Sequence, residues 1–164
     1  MNIALRRCLM LAMILLVAAA VGCAKKEVAP AATDPLDDEL PLTESERQAA
    51  LSISNGVIYF EYDRFDLSTQ AKQILSEKAE IIRQMPQLRV TIEGHCDERG
   101  TEEYNLALGE RRARAAYEFL LNLGVPASQM EVLSLGKLHP AVMGSGEAVW
   151  SKNRRDEFKA YKPK

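Results

Sequence analysis

Histidine, cysteine and tryptophan are scarce in this 164-residue chain, at two, three and one, and aromatic residues make up only 6%. Three cysteines are too few for a disulfide framework, so stability must come from an ordinary apolar core. Basic excess is also missing, since 21 Lys and Arg face 23 Asp and Glu. Without Arg6 and Arg7 of the first 22 residues, 19 basic and 23 acidic residues remain, a net charge of −4. That balance argues against a nucleic-acid partner, which calls for a basic face. No apolar run is long enough to span a bilayer, because Cys8 to Val21 is 14 residues and a spanning helix needs about 20. What is present is 47% hydrophobic and 27% charged residues, enough for one globular domain with some tail to spare.

The tail is organised. Residues 1–22 have a basic start, an apolar centre from Leu9 to Val17 and small residues before Cys23, the order of a removed export signal. Ala20-Val21-Gly22-Cys23 resembles the lipobox of bacterial lipoproteins, although Ala20 stands where Leu is usual. The resemblance implies cleavage before Cys23 and diacylation of its thiol, two chains being enough for stable anchoring. Ala24 in place of Asp then implies the outer membrane. From residue 23 to 54 the composition shifts to Ala, Pro, Asp and Glu, with Pro30, Pro35 and Pro41 and six acids between Asp34 and Glu46. Such a stretch reads as a tether with too little apolar surface to fold. Thr43 and Glu46 have capping-box spacing, so a short helix at Leu42 to Leu51 is the alternative.

Residues 55–164 carry the folded domain. Val57 to Phe60 reads as a strand, and a helical run from Leu67 to Met85 is ended by Pro86. Leu88, Val90 and Ile92 alternate with polar residues as a second strand, and a second helix covers about Glu103 to Leu123, closed by Gly124. Met130 to Leu135 is a third strand, and a weaker one lies within Arg154 to Tyr161. The order β-α-β-α-β-β predicts an α/β (α+β) sandwich, two helices packed on one face of a mixed sheet.

The most informative position is on the second helix. At 100° per residue, Arg112 and Asn105 fall in the middle of the apolar stripe formed by Leu108, Ala115, Ala116, Phe119 and Leu123. An arginine aimed at the buried face is expected to find an anion there. Helical side chains lean toward the N-terminus, so Arg112 reaches back to Gly94-His95-Cys96-Asp97-Glu98-Arg99-Gly100-Thr101. That loop offers a carboxylate, glycines that allow close backbone approach, and amides near a helix start. Two readings follow. Either Asp97 takes an ammonium while Arg112 and loop amides take a carboxylate of a zwitterion, or Asp97 and Arg112 close on each other.

The run Gly94-His95-x-Asp97-x-x-Gly100-Thr101-x-x-x-Asn105-x-x-Leu108-Gly109-x-x-Arg112-Ala113 resembles the signature of the OmpA-like peptidoglycan-binding domain. Tyr59-Phe60-Glu61-Tyr62-Asp63 and Asn153-Arg154-Arg155 extend the similarity over residues 55 to 161, and the lipobox and leash match that family's lipoproteins. The resemblance implies that Asp97 and Arg112 hold the meso-diaminopimelate of the peptidoglycan stem peptide. It further implies that Asn105, Thr101 and Gly100 complete the carboxylate and peptide contacts, and that Tyr62 and Asp63 wall the pocket. Cys96 departs from the pattern, which has a small or hydroxyl residue there. The same resemblance implies a role in the Tol–Pal system, with a TolB-like periplasmic protein and other Tol proteins as partners, in envelope integrity and in outer-membrane constriction at division. The alternative function is a protein-interaction module with wall binding secondary.

An enzyme, a cofactor and a metal are not expected. Three consecutive residues such as His95-Cys96-Asp97 rarely converge on one ion, and His139 is the only other histidine. Trp150, with Met143, Gly144 and Gly146 nearby, reads as a local core plug rather than a docking patch.

Overall fold

A computed structural model describes residues 40–164. The export signal, Cys23 and the tether up to residue 39 lie outside the described residues. Helix α1 (Glu44–Ser54) comes first and strand β1 (Ile58–Tyr59) second. Then follow α2 (Thr69–Gln84), β2 (Arg89–His95), α3 (Glu102–Asn122), a 3-10 turn at Ala127–Gln129, β3 (Met130–Gly136), α4 (Glu147–Asn153) and β4 (Arg155–Tyr161). The four strands lie in the order β1-β4-β2-β3, with β2 and β3 parallel and β4 antiparallel to both of its neighbours. This is the expected mixed sheet, with two additional helices.

The boundary expected at residue 54 is corrected, because the chain from Thr43 is already structured. Thr43 and Glu46 form the capping box that the spacing suggested, and Ala49, Ala50 and Ile53 make a buried stripe on α1. Three polar links fasten this helix: Lys162 to Glu46 at 2.9 Å, the Leu40 amide to the Lys162 carbonyl, and Lys78 Nζ to the carbonyls of Ile53 and Asn55. Acid-rich composition concealed it, since only every third or fourth side chain needs to be apolar for a helix to dock.

Two other expectations change. β1 pairs over two residues rather than four, Ile58 with Asp156 and Tyr59 with Arg155, and the Phe60 amide then donates to the Arg154 carbonyl. The strand that looked weakest, β4, is interior, with β1 on one side and β2 on the other. Its Arg155, Asp156 and Glu157 hid it from an apolar pattern, yet Phe158 is buried in the core beside Ile58, Val90 and Ile92. Leu75 and Ile82 of α2 and Ala113, Ala116 and Leu120 of α3 complete that core.

The contact of α3 with the sheet is set by two glycines. A Cβ on Gly94 of β2 would lie 2.0 Å from the Gly109 carbonyl oxygen, and a Cβ on Gly109 would lie 2.8 Å from that of Gly94. Backbone therefore meets backbone, and no side chain fits between. Arg112, three residues past Gly109 and on the same helix face, is thereby brought under the end of β2.

Ile53 is fully buried against the core, so Ile53→Ala is expected to destabilise the chain by about 2–5 kcal/mol. Urea unfolding followed by circular dichroism measures this, and an unchanged midpoint would show that α1 is not part of the cooperative fold.

Candidate functional site

Arg112 is buried, as the helix periodicity required, but the anion expected beside it is replaced by carbonyls. Its Nε donates to the Arg64 carbonyl at 2.8 Å, Nη1 to the His95 carbonyl at 2.9 Å and Nη2 to the Glu61 carbonyl at 3.3 Å. Nη1 also lies 3.5 Å from Cys96 Sγ, and the guanidinium stands over the Phe60 ring. Glu61 and Arg64 are the ends of a tight turn in which the Arg64 amide donates to the Glu61 carbonyl. Tyr62 and Asp63 form the middle of that turn, Asp63 with φ of +55°, a conformation aspartate tolerates. Arg112 thus clamps both ends of the turn that displays Tyr62 and Asp63. Several polarised carbonyls can solvate a buried guanidinium as a carboxylate would, because all of its donors lie in one plane.

Asp97 does not pair with Arg112. Its Oδ1 accepts from Arg99 Nε at 3.0 Å and from the Arg99 amide at 3.1 Å, and its Oδ2 accepts from Arg99 Nη2 at 2.6 Å. Arg154 Nη1 is 3.4 Å from the same Oδ2, while Arg154 Nε donates to the Phe60 carbonyl and Nη2 reaches Glu147. The closed Asp97–Arg112 bridge is therefore corrected to an Asp97 pair with two other arginines. Arg99 lies between two aromatic faces, with its guanidinium carbon 4.0 Å from the centroids of Tyr62 and of Trp150. Trp150 Nε1 in turn donates to Glu98 at 2.9 Å. Trp150, on α4, is half-buried and stacks on the site, a role its position just after Gly144 and Gly146 did not reveal.

The loop is held from both sides. Asn105 Nδ2 donates to the carbonyls of Arg99 and Thr101 at 2.8 and 2.9 Å, and Lys137 Nζ reaches the Gly100 carbonyl at 2.6 Å. Gly100 takes φ of +90°, which favours glycine. Thr101 caps α3 by accepting from the Tyr104 amide.

These elements enclose a cavity of about 140 Å³ lined by Tyr62, Asp63, Asp97, Gly100, Asn105 and Arg112, six of the seven expected residues, together with Cys96, Arg99, Tyr104 and Leu108. Thr101 stands outside it as the helix cap. Arg99, Tyr104 and Arg154 were not anticipated. Arg99 was visible only as the second residue after Asp97, the spacing of a local side-chain to backbone turn. Tyr104 donates through its hydroxyl to Asp63.

The family model for the OmpA family matches residues 59–154. The peptidoglycan-associated lipoprotein of Pseudomonas aeruginosa is 40% identical, over 90% of this chain and 94% of that protein. That of Brucella melitensis is 46% identical over 98 residues, and there the chain spans 58% of the relative's length. The crystal structure of the peptidoglycan-associated lipoprotein from Burkholderia pseudomallei matches with a TM-score of 0.64 at 40% identity, over 66% of this chain and 92% of that one. The C-terminal domain of Helicobacter pylori MotB shares the fold, with a TM-score of 0.60 at 20% identity over 64% of this chain and 83% of that one. This chain belongs to the OmpA family and, within it, to the peptidoglycan-associated lipoproteins.

The charges of the cavity have separate causes. Burial pushes the Cys96 thiol up to about 11, so it stays protonated at neutral pH and donates to the Asn105 carbonyl at 3.3 Å. Burial also acts to raise the Asp97 carboxyl, but the hydrogen bonds from the Arg99 side chain and amide outweigh it and hold the group below its usual value. A depressed carboxyl adds stability above the unfolded-state value near 3.9 and loses it as pH falls through the folded value. Asp97→Asn is accordingly expected to flatten the acid limb of the stability curve below about pH 4. Urea midpoints measured from pH 2.5 to 7 test this, and an acid limb identical to that of the unsubstituted chain would refute it.

Proposed function

We propose that this protein is an outer-membrane lipoprotein whose periplasmic domain binds peptidoglycan non-covalently through the diaminopimelate of the stem peptide. The observation that carries the reading is the charge pattern of the cavity, where Asp63 and Asp97 face Arg99 and Arg112. Two carboxylates and two guanidiniums without net charge suit a zwitterion, not a simple anion or cation. At about 140 Å³ the space is well below the roughly 300 Å³ at which pockets for drug-sized molecules begin. A space of this size suits the end of one amino-acid side chain. The side-chain end of meso-diaminopimelate has an ammonium and a carboxylate side by side.

In this reading the ligand's ammonium takes the place of Arg99 on Asp97. Arg154 is almost wholly buried, whereas the Arg99 side chain is 30% exposed, so Arg99 is the partner able to leave. Arg112 has five N–H groups, four of them engaged by the Arg64, His95 and Glu61 carbonyls and Cys96, and offers the fifth to the carboxylate. Asn105 and Gly100 hold the loop that frames the ligand, and Tyr62 and Asp63 form the opposite wall. Thr101 acts indirectly, by capping α3.

Membership of the lipoprotein branch supports lipidation at Cys23, attachment to the outer membrane, and work within the Tol–Pal system with a TolB-like partner, in envelope integrity and in constriction at division. No helix among the described residues is long and apolar enough to cross a membrane. The protein is a binding module, not an enzyme.

Two measurements test these statements. Titration with a muropeptide containing meso-diaminopimelate is expected to show binding that a lysine-containing muropeptide, which lacks the side-chain carboxylate, does not match. Asp97→Asn should cost about 2–5 kcal/mol of that binding, roughly 30- to 4000-fold in affinity. Retention on purified sacculi unaffected by the substitution would refute the zwitterion pocket. Separately, labelled palmitate is expected to enter the chain in growing cells and to be lost in Cys23→Ala. Label that survives the substitution sinks the anchor assignment.

A further inference from the structure

On the sheet, apart from the cavity, three potential metal ligands come together that the sequence separates. Glu93 and His95 stand two apart on β2, and β2/β4 pairing sets Glu157 directly opposite Glu93. A ring nitrogen of His95 and one carboxylate oxygen each from Glu93 and Glu157 lie within 4.8 Å of one another. His95 is 2% exposed, and neither of its ring nitrogens has a hydrogen-bond partner. The His139 main chain lies beside the ring without meeting hydrogen-bond geometry. Buried polar side chains are paired in the large majority of cases, and an imidazole left with neither nitrogen satisfied calls for an explanation. This one is aimed at carboxylate: its Nε2 is 3.9 Å from Glu93 Oε2.

We propose that Glu93, His95 and Glu157 form a site for a divalent transition cation of the zinc type. The donor set is one imidazole and two carboxylates. Imidazole selects against magnesium and calcium, and the absence of thiolate selects against copper(I). Tetrahedral coordination at about 2.0–2.1 Å puts ligand atoms roughly 3.3–3.5 Å apart. The cluster needs to contract by up to about 1.4 Å, which calls for the two glutamate side chains to rotate. A bound cation would satisfy one ring nitrogen of His95 and leave the fourth position to water.

The competitors for the carboxylates are also in view. Lys159 Nζ lies 2.9 Å from Glu93 Oε1, leaving Oε2 toward His95, and Arg155 Nε donates to Glu157 Oε1 at 2.6 Å. Glu157, a third exposed, is the entrance, since the other two side chains are buried. Cys96 and Asp97 take no part, so this is not the run of consecutive residues weighed from the sequence. Nor does it depend on the zwitterion reading of the cavity.

The test is Zn²⁺ titration of the full chain, purified in detergent, by calorimetry, with Co²⁺ absorption as a second readout. Saturable one-to-one binding is expected, with a Co²⁺ spectrum lacking the thiolate charge-transfer band. His95→Gln and Glu157→Gln should each weaken it at least tenfold. Because His95 is buried, Glu157→Gln, on a partly exposed side chain, keeps the test valid should His95→Gln fail to fold. His139→Gln should leave it unchanged. Absence of saturable binding, binding equal in the Glu157 variant, loss on His139→Gln, or a thiolate band would each overturn the proposal.

Discussion

The guanidinium of Arg112 holds three segments that are far apart in the chain. It joins α3 to the turn from Glu61 to Arg64 and to the end of β2 at His95, across 48, 51 and 17 residues of sequence. The Glu61 carbonyl also accepts from the Arg64 amide, so the guanidinium reinforces the turn which that bond closes. Tyr62 and Asp63 are presented to the cavity because the turn carrying them is anchored at both ends by this one side chain. The clamp in turn depends on Gly94 and Gly109, whose backbones touch and leave no room for a Cβ. Helix α3 can lie low enough for Arg112 to reach the His95 carbonyl only because neither position carries a side chain.

Above that clamp the site has a second, looser layer. Asp97 is saturated by Arg99 and Arg154, and Arg99 is packed between the rings of Tyr62 and Trp150. One arginine is fixed and buried, while the other lies partly open to solvent. A cavity built in this way has the complement of a zwitterion already present in its own side chains. In the proposed reading, ligand binding would exchange one cation for another at Asp97, while Arg154 keeps the carboxylate paired throughout. Helix α4 takes part by carrying Trp150 to the site, which gives a purpose to a segment that looks unremarkable in sequence.

Much of the fold was legible from local patterns. The apolar runs ended by Pro86 and Gly124 mark the two long helices, and the alternation around Val90 and Ile92 marks strand β2. Two elements were harder to see. Helix α1 has few apolar residues, and β4 opens on Arg155, Asp156 and Glu157, so neither announces itself by hydrophobicity. Of the seven site residues expected, six line one cavity. Arg99, Arg154 and Trp150 were missed because stacking and long-range ion pairing leave no periodic trace.

By itself, the sequence determined that Arg112 points inward, that a glycine-bounded acidic loop opens its helix, and in what order the four strands and the two long helices follow. These are short-range properties, set by the 3.6 and 2.0 residue periods, by caps and by backbone freedom at glycine. Only the tertiary structure decided the partners. That Arg112 meets carbonyls instead of Asp97, that Asp97 meets Arg154 from 57 residues away, and that Glu157 comes to Glu93 and His95 all follow from strand pairing and from helix-on-sheet contact. A buried charge dictates that it must be satisfied; which groups satisfy it depends on what the packed chain brings within about 3 Å.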